Sequence, residues 1–509
     1  MEKQYLLSVD QSTQGTKALL FDQEGNLICR GDRPHRQIIN DAGWVSHDLN
    51  EIYSNTLKVV RDVIEKAGIR REQVAGLGIS NQRETSAVWD RTDGHPLADA
   101  IVWQCSRAKD ICARVEESGK AEWVRRTTGI NLSPYFPASK LAWFMENVKE
   151  APQKASEGTL CLGTIDSYLV YRLTGGTSFK TDYSNASRTQ LFNIHSLEWD
   201  EGLCSLFGIP VNALAQVCDS NAWFGDTDLE GYLDNPIPIH GVLGDSHGAL
   251  FGQGCLEKGM IKTTYGTGSS IMMNIGEKPV ISTHGVVTSL AWGMDGRVNY
   301  VLEGNINYTG AVITWLKDDL KLITSASETE GLARQANEDD TTYLVPAFTG
   351  IGAPYWDSEA RAAIVGITRK TRTPELVKAG LECIAYQIAD VVEAMSQDAG
   401  VRIEELRVDG GPTRNRYLMQ FQSDILDIRV LVPDAEELSG IGAAYAAGLA
   451  LGFFDRSIFG KMKRSMFEPA HRYEYCHTHP RLSLAMDQDA RRQKQDGWRA
   501  AVGTVLTRS

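Results

Sequence analysis

Leu6-Leu7-Ser8-Val9-Asp10-Gln11-Ser12-Thr13-Gln14-Gly15-Thr16-Lys17-Ala18-Leu19-Leu20-Phe21-Asp22 and Met260-Ile261-Lys262-Thr263-Thr264-Tyr265-Gly266-Thr267-Gly268-Ser269-Ser270-Ile271-Met272-Met273-Asn274 follow one plan. Each is an extended apolar run, a tight turn of small and hydroxylated residues, and a second extended run. That plan predicts a β-hairpin whose tip exposes backbone N–H groups and hydroxyls, the groups that wrap phosphate oxygens. One hairpin in each half predicts a duplicated α/β fold gripping one polyphosphate from both sides. A nucleotide-dependent enzyme is the expectation.

A chain of 509 residues is too long for one hydrophobic core. The second hairpin opens a fresh alternating unit, so a boundary is expected near 250–260. The expected parts are residues 1–254, residues 255–455 and a polar, helical extension over 456–509. The net charge of −13 argues against nucleic-acid or anionic-membrane partners, which need a basic face. The nine cysteines are scattered without zinc-type pairing, and read as reduced thiols. Cys476-His477-Thr478-His479 offers at most a few crowded ligands and no second cluster. Met1-Glu2-Lys3-Gln4 passes directly into a strand, and no apolar run approaches the roughly 18 residues that cross a bilayer. A cytoplasmic protein is expected.

Helical spacing covers Glu51 to Ala67, Lys109 to Ser118 and Ser139 to Val148. In the second half it covers Thr373 to Gln397, with Pro374 suited to a first turn, then Asn415 to Leu426 and Ala443 to Leu451. Strands are predicted at Val74–Ser80, Ser86–Asp90, Ile237–Gly241 and Glu405–Asp409.

Several polar clusters stand at the ends of these strands. Asp10 is placed to hold Mg²⁺ beside phosphates, or else to brace its own turn. Thr13 and Lys17 are candidate phosphate contacts, and Gly266-Thr267-Gly268 is either a second phosphate grip or a plain hairpin turn. Asp409-Gly410-Gly411 followed by Asn415 makes a flat opening for a nucleoside, although paired glycines also serve packing. In Asn81-Gln82-Arg83-Glu84-Thr85, Arg83 and Glu84 offer a donor fork and a two-oxygen acceptor suited to vicinal hydroxyls; the plainer alternative is a salt-bridged loop. Asp245, in Gly244-Asp245-Ser246-His247, is the candidate general base, with His247 read as structural. Gly350-Ile351-Gly352-Ala353-Pro354 fails as a dinucleotide loop because Pro354 interrupts the helix start, and no Gly-Lys-Ser or Gly-Lys-Thr occurs.

These pieces resemble the FGGY carbohydrate kinases, and within them the glycerol kinases, from Ser8 to about Phe454. The resemblance rests on Asn81–Thr85, Ala100-Ile101-Val102-Trp103-Gln104-Cys105, Tyr135-Phe136-Pro137-Ala138-Ser139-Lys140-Leu141-Ala142-Trp143, Thr181-Asp182-Tyr183-Ser184-Asn185-Ala186-Ser187-Arg188-Thr189 and Gly352-Ala353-Pro354-Tyr355-Trp356-Asp357. It implies an actin-like ATPase architecture of two ribonuclease-H-type domains, with ATP and substrate between them. It implies nucleotide contacts at Thr13, Thr267, Gly310, Gly411 and Asn415, with Asp10 the magnesium-associated carboxylate and Lys17 standing where those kinases carry arginine. Arg83, Glu84, Trp103, Tyr135 and Asp245 match the polyol-binding set, with Asp245 as base.

Two positions depart from that pattern: Ser246 replaces a glutamine and Ser270 a phenylalanine. Both changes remove bulk and add hydroxyls, so the expected acceptor is a polyol or keto-sugar larger than glycerol. Glycerol is the alternative, and a non-catalytic nucleotide-binding regulator a more distant one. ATP and Mg²⁺ are the expected cofactors and a homo-oligomer, dimer or tetramer, the expected assembly.

Overall fold

The computed structural model describes residues 3–469 and 486–507. Cys476-His477-Thr478-His479 lies outside the described residues. The first hairpin forms as Tyr5–Gln11 and Gly15–Phe21, with Asp10 opposite Lys17 and Gln11 opposite Thr16. The second forms as Ile261–Tyr265 and Ser269–Gly276, with Thr264 opposite Ser270.

Each hairpin lies at the heart of its own sheet. The first sheet is six-stranded, in the order 225–227, 237–244, 74–81, 5–11, 15–21, 27–34. The second is seven-stranded, in the order 287–294, 297–306, 269–276, 261–265, 405–410, 429–433, 464–467. In both, the opening strand runs antiparallel to its hairpin mate and parallel to the strand on its other side. The same order twice in one chain is a duplication that the hairpins alone announced.

Helix Leu49–Ala67 packs on the first sheet and is capped by the Asp48 carboxylate, which accepts from the N–H groups of Asn50 and Glu51. The long helix Thr373–Ala399 lies on the second sheet, with proline in its first turn as expected. Helix Pro137–Asn147 starts two residues earlier than the periodicity predicts, again on a proline.

Helix Leu438–Ala450 departs from the sequence reading in a more consequential way. Its chain neighbours belong to the second sheet, yet it packs against strands 5–11, 74–81 and 237–244 of the first. There it crosses helix Asp245–Gly252 at van der Waals distance: a Cβ on Gly442 would stand 1.8 Å from the Gly248 carbonyl oxygen. The segment after residue 456 also differs from a purely helical extension. It supplies strand Arg464–Phe467 to the second sheet, and helix Gln488–Gly503 buries Trp498 and Val502 in that lobe's core.

A smaller sheet, in the order 38–39, 45–47, 100–101, 86–90, 160–164, sits beside the first lobe. It carries Trp103, Tyr135 and helix Pro137–Asn147 to the crevice. No helix among the described residues is long and apolar enough to cross a membrane.

Candidate active site

The parallel strands of the first sheet end level with one another, since Gln11 pairs with Asn81 and Asn81 with Gly244. Crevices at the carboxyl ends of such strands are where α/β folds place ligands. Tyr265 beside Gly410 marks the matching edge of the second sheet.

Both hairpin tips are shaped by glycine. At the first, the Ser12 N–H and hydroxyl donate to the Gly15 carbonyl at 2.8 and 3.0 Å, and a Cβ on Gly15 would meet the Arg33 carbonyl at 2.6 Å. At the second, the N–H groups of Thr309 and Gly310 donate to the carbonyls of Thr267 and Gly266 at 2.9 and 3.0 Å, stapling the tip to helix Gly310–Thr314. The Thr267 side chain remains exposed, and Gly411 faces open space. Asn415 is the cap of helix Arg416–Leu426: its side chain accepts the Leu418 N–H and donates to Thr329. Its side-chain amide is therefore engaged within the protein.

The acceptor clamp is built differently from the sequence expectation. Arg83 does not present a free fork. Its two Nη atoms donate to the two Glu303 carboxylate oxygens at 2.9 Å each, a bond across the lobes. Arg188 donates to Glu84 at 2.7 Å and lies 2.9 Å from Glu303. The Arg83 Nε lies 3.3 Å from Asp245 Oδ1. Burial disfavours charge on Glu303, but Arg188 and Arg83 outweigh it and hold the carboxyl well below its usual range. For Arg83 burial likewise opposes the charge, and Glu303 and Glu84 overcome it. Glu84 itself sits at φ +61°, a left-handed conformation that costs a non-glycine residue roughly 1–3 kcal/mol and clusters at functional sites. Gly244 leaves room for the Arg83 side chain, which a Cβ there would meet at 2.7 Å.

Glu303 and Arg188 belong to this charged cluster, and the sequence reading named neither for the site. Glu303 had a legible signal: it interrupts the buried middle of strand Arg297–Ile306, where an unpaired acid is costly. Lys17 also has an unforeseen partner. It bonds Glu437 Oε2 at 2.7 Å, and Arg30 holds the other oxygen at 2.6 Å.

Asp245, opening helix Asp245–Gly252, keeps 35% of its side chain exposed toward the crevice and accepts the Ser246 N–H at 2.6 Å. His247 is fully buried, its pKa driven well below the ordinary value by burial and Arg83, so it is neutral and packed. Asp10 is buried with Oδ1 unpartnered, and burial raises its pKa to about 7 against the pull of Lys17. An orphaned carboxylate oxygen beside the phosphate hairpin suits a divalent cation. Among the described residues no cluster of three or more His, Cys, Asp or Glu forms a metal site.

Trp103 and Tyr135 form one wall, ring centroids 5.5 Å apart. Ser270 stands on the facing strand, directly opposite Asn305, and its hydroxyl is buried without a partner. The Asn305 side chain donates to Glu303 at 3.3 Å. Ser246 is half-buried beside Asp245.

Comparison with known proteins bears on this arrangement. Residues 5–252 match the N-terminal domain of the FGGY family of carbohydrate kinases, and residues 261–451 its C-terminal domain. The glycerol kinase of Oceanobacillus iheyensis is 46% identical over 89% of this chain and 91% of its own length. That of Alkaliphilus oremlandii is 44% identical over 99% and 98%. The crystal structure of Plasmodium falciparum glycerol kinase with ADP superposes with a TM-score of 0.91 at 34% identity, covering 99% of both chains. A xylulose kinase from Lactobacillus acidophilus shares the fold at 20% identity, with a TM-score of 0.85 over 98% of this chain and 97% of its own. With its duplicated actin-like ATPase lobes, the chain belongs to the FGGY family of carbohydrate kinases, enzymes that transfer a phosphoryl group to an alcohol acceptor.

Proposed function

We propose that the chain phosphorylates a terminal hydroxyl of glycerol at the expense of ATP. The observation that carries this reading is the exposed Asp245 carboxylate, braced by Arg83 at the crevice between the two hairpins. The identity of 43–46% to glycerol kinases supports glycerol as the acceptor.

In this reading Thr13, Thr267 and Gly310 cradle the triphosphate, while Gly411 and the helix start at Asn415 flank the nucleoside. Asp10 would hold Mg²⁺, which would supply charge neutralisation for the triphosphate. Arg83 has donors left after Glu303 has taken two, and Glu84 keeps an oxygen free of Arg188. These remaining groups hold the hydroxyls of the polyol against Trp103 and Tyr135. Asp245 accepts the proton of the attacking hydroxyl as the phosphoryl group arrives in line. Positioning and charge neutralisation supply most of the acceleration.

A second reading, a longer polyol or keto-sugar, is favoured by Ser246 and by the unpartnered Ser270 hydroxyl facing Asn305. Measuring ADP release with glycerol, tetritols, pentitols and ketoses decides between them. Turnover highest with glycerol supports the first reading, and turnover highest with a longer acceptor replaces it by the second. No ADP release with any acceptor sinks the kinase reading altogether. Asp245→Asn is expected to bind both substrates while losing about 10²–10⁴ in turnover; near-normal turnover would remove Asp245 as the base.

A further inference from the structure

Thr13, at the tip of the first hairpin, and Trp103, on the polyol wall, are joined directly: the indole N–H donates to the Thr13 hydroxyl oxygen at 2.9 Å. The Trp103 backbone N–H donates to the Thr85 hydroxyl at 3.3 Å, and that hydroxyl donates to Gln82 Oε1 at 2.7 Å. Gln82 Nε2 then donates to Gln11 Oε1 at 3.0 Å and to the Ser12 carbonyl at 3.3 Å. The path leaves the hairpin at Thr13 and returns to it at Ser12, a closed ring. Gln11, Gln82 and Thr85 are buried, whereas Thr13 and Trp103 are half-buried at the crevice.

The direction of one bond matters most. A hydroxyl carries one proton and two acceptor positions, and an indole N–H can only donate. Trp103 therefore fills an acceptor position of Thr13 and leaves its proton available. Among the described residues nothing hydrogen-bonds that proton. Set at the tip of a phosphate hairpin, it is free to donate to a phosphate oxygen.

We propose that Trp103 is a positioning residue for the nucleotide as well as a wall for the polyol. Through Thr13 it makes the two substrates bind with positive coupling. A polyol packed against the indole immobilises the ring, the ring fixes the Thr13 hydroxyl, and the fixed hydroxyl holds phosphate at lower entropic cost. Linkage makes the effect reciprocal. This inference rests on the proposed kinase reading, in which Thr13 meets phosphate and Trp103 meets polyol.

The test is calorimetric titration of a nonhydrolysable ATP analogue with Mg²⁺, with and without a saturating polyol, using the acceptor selected by the ADP-release screen. Wild-type protein should show a coupling factor within the range of about 5–150-fold usual for linked sites. Trp103→Phe keeps an aromatic wall but deletes the N–H, and its coupling factor should fall to near one. Thr13→Val should do the same, and the double variant should be no worse than either single change. Gln82→Met breaks the ring at a buried position, and should reduce coupling while both ligands still bind. Coupling unchanged in Trp103→Phe and Gln82→Met, or absent from an active wild-type enzyme, overturns the inference and leaves the kinase reading intact. Failure of wild-type protein to phosphorylate any polyol overturns the reading beneath it.

Discussion

Lys140 has no exposed side chain, and its ammonium donates to the Tyr135 carbonyl, bracing the polyol wall from behind. Burial lowers its pKa from 10.5 to about 7, with Glu84 pulling the other way. The sign follows from proton counting. Between these two values the unfolded chain holds a proton that the folded one has lost, so Lys140 makes stability rise with pH across that window. Lys140→Met removes the titration. The stability of the variant relative to wild type should therefore be highest below about pH 7 and fall towards pH 10, approaching about 1.4 kcal/mol per pH unit. Thermal melts across that range check it, and a difference independent of pH would refute the assignment. Single residues of this kind were only partly legible. Asp10, Arg83, Glu84 and Asp245 stood at strand ends beside turns, where local pattern exposes them. Glu303 lies inside a strand and its partner Arg83 stands 220 positions away, while Lys140 lies inside a helix and its task shows only in the bond to the Tyr135 carbonyl.

Hairpins and helices were easier to read than their packing. The tips over 12–14 and 266–268 followed from extended apolar runs joined by turns of small and hydroxylated residues, because both signals are local. Helix Leu438–Ala450 is apolar on nearly every side, a sign of burial, but nothing in its residues names the sheet that buries it. Its crossing with helix Asp245–Gly252 is set by backbone contact, and Gly442 admits no side chain there. Gly442→Ala should destabilise the protein by about 1–3 kcal/mol through overpacking. Gly331→Ala, in helix Glu328–Gln335 with open space around it, should be neutral or mildly stabilising. Equal melting temperatures for the two variants would contradict the close crossing.

Across the whole molecule, two charge clusters join the first half of the chain to the second. One tie is Arg83 to Glu303; the other is Glu437, clasped by Lys17 and Arg30 of the first lobe at the entrance to helix Leu438–Ala450. The second tie engages the cation that the sequence assigned to phosphate. Lys17 and Arg30 are partly exposed while Glu437 is buried, and in the proposed reading the pair competes with an incoming triphosphate for Lys17. Glu437→Gln should tighten binding of a nonhydrolysable ATP analogue several-fold at low ionic strength. Added salt should shrink the difference, since screening weakens such pairs. Weaker binding in the variant would mean that Glu437 positions Lys17 for the nucleotide instead of withholding it.

By itself the sequence determined the twin hairpins, the acids at the strand ends and membership of a kinase family, because alternation, turn chemistry and ordered strings are carried by neighbouring residues. Only the tertiary structure decided that Arg83 gives two of its donors to Glu303, that Lys17 is held by Glu437, and that a helix of the second half closes the first sheet. Those pairings join residues hundreds of positions apart, and burial sets their strength. No local pattern encodes which opposite charge or which sheet face will arrive.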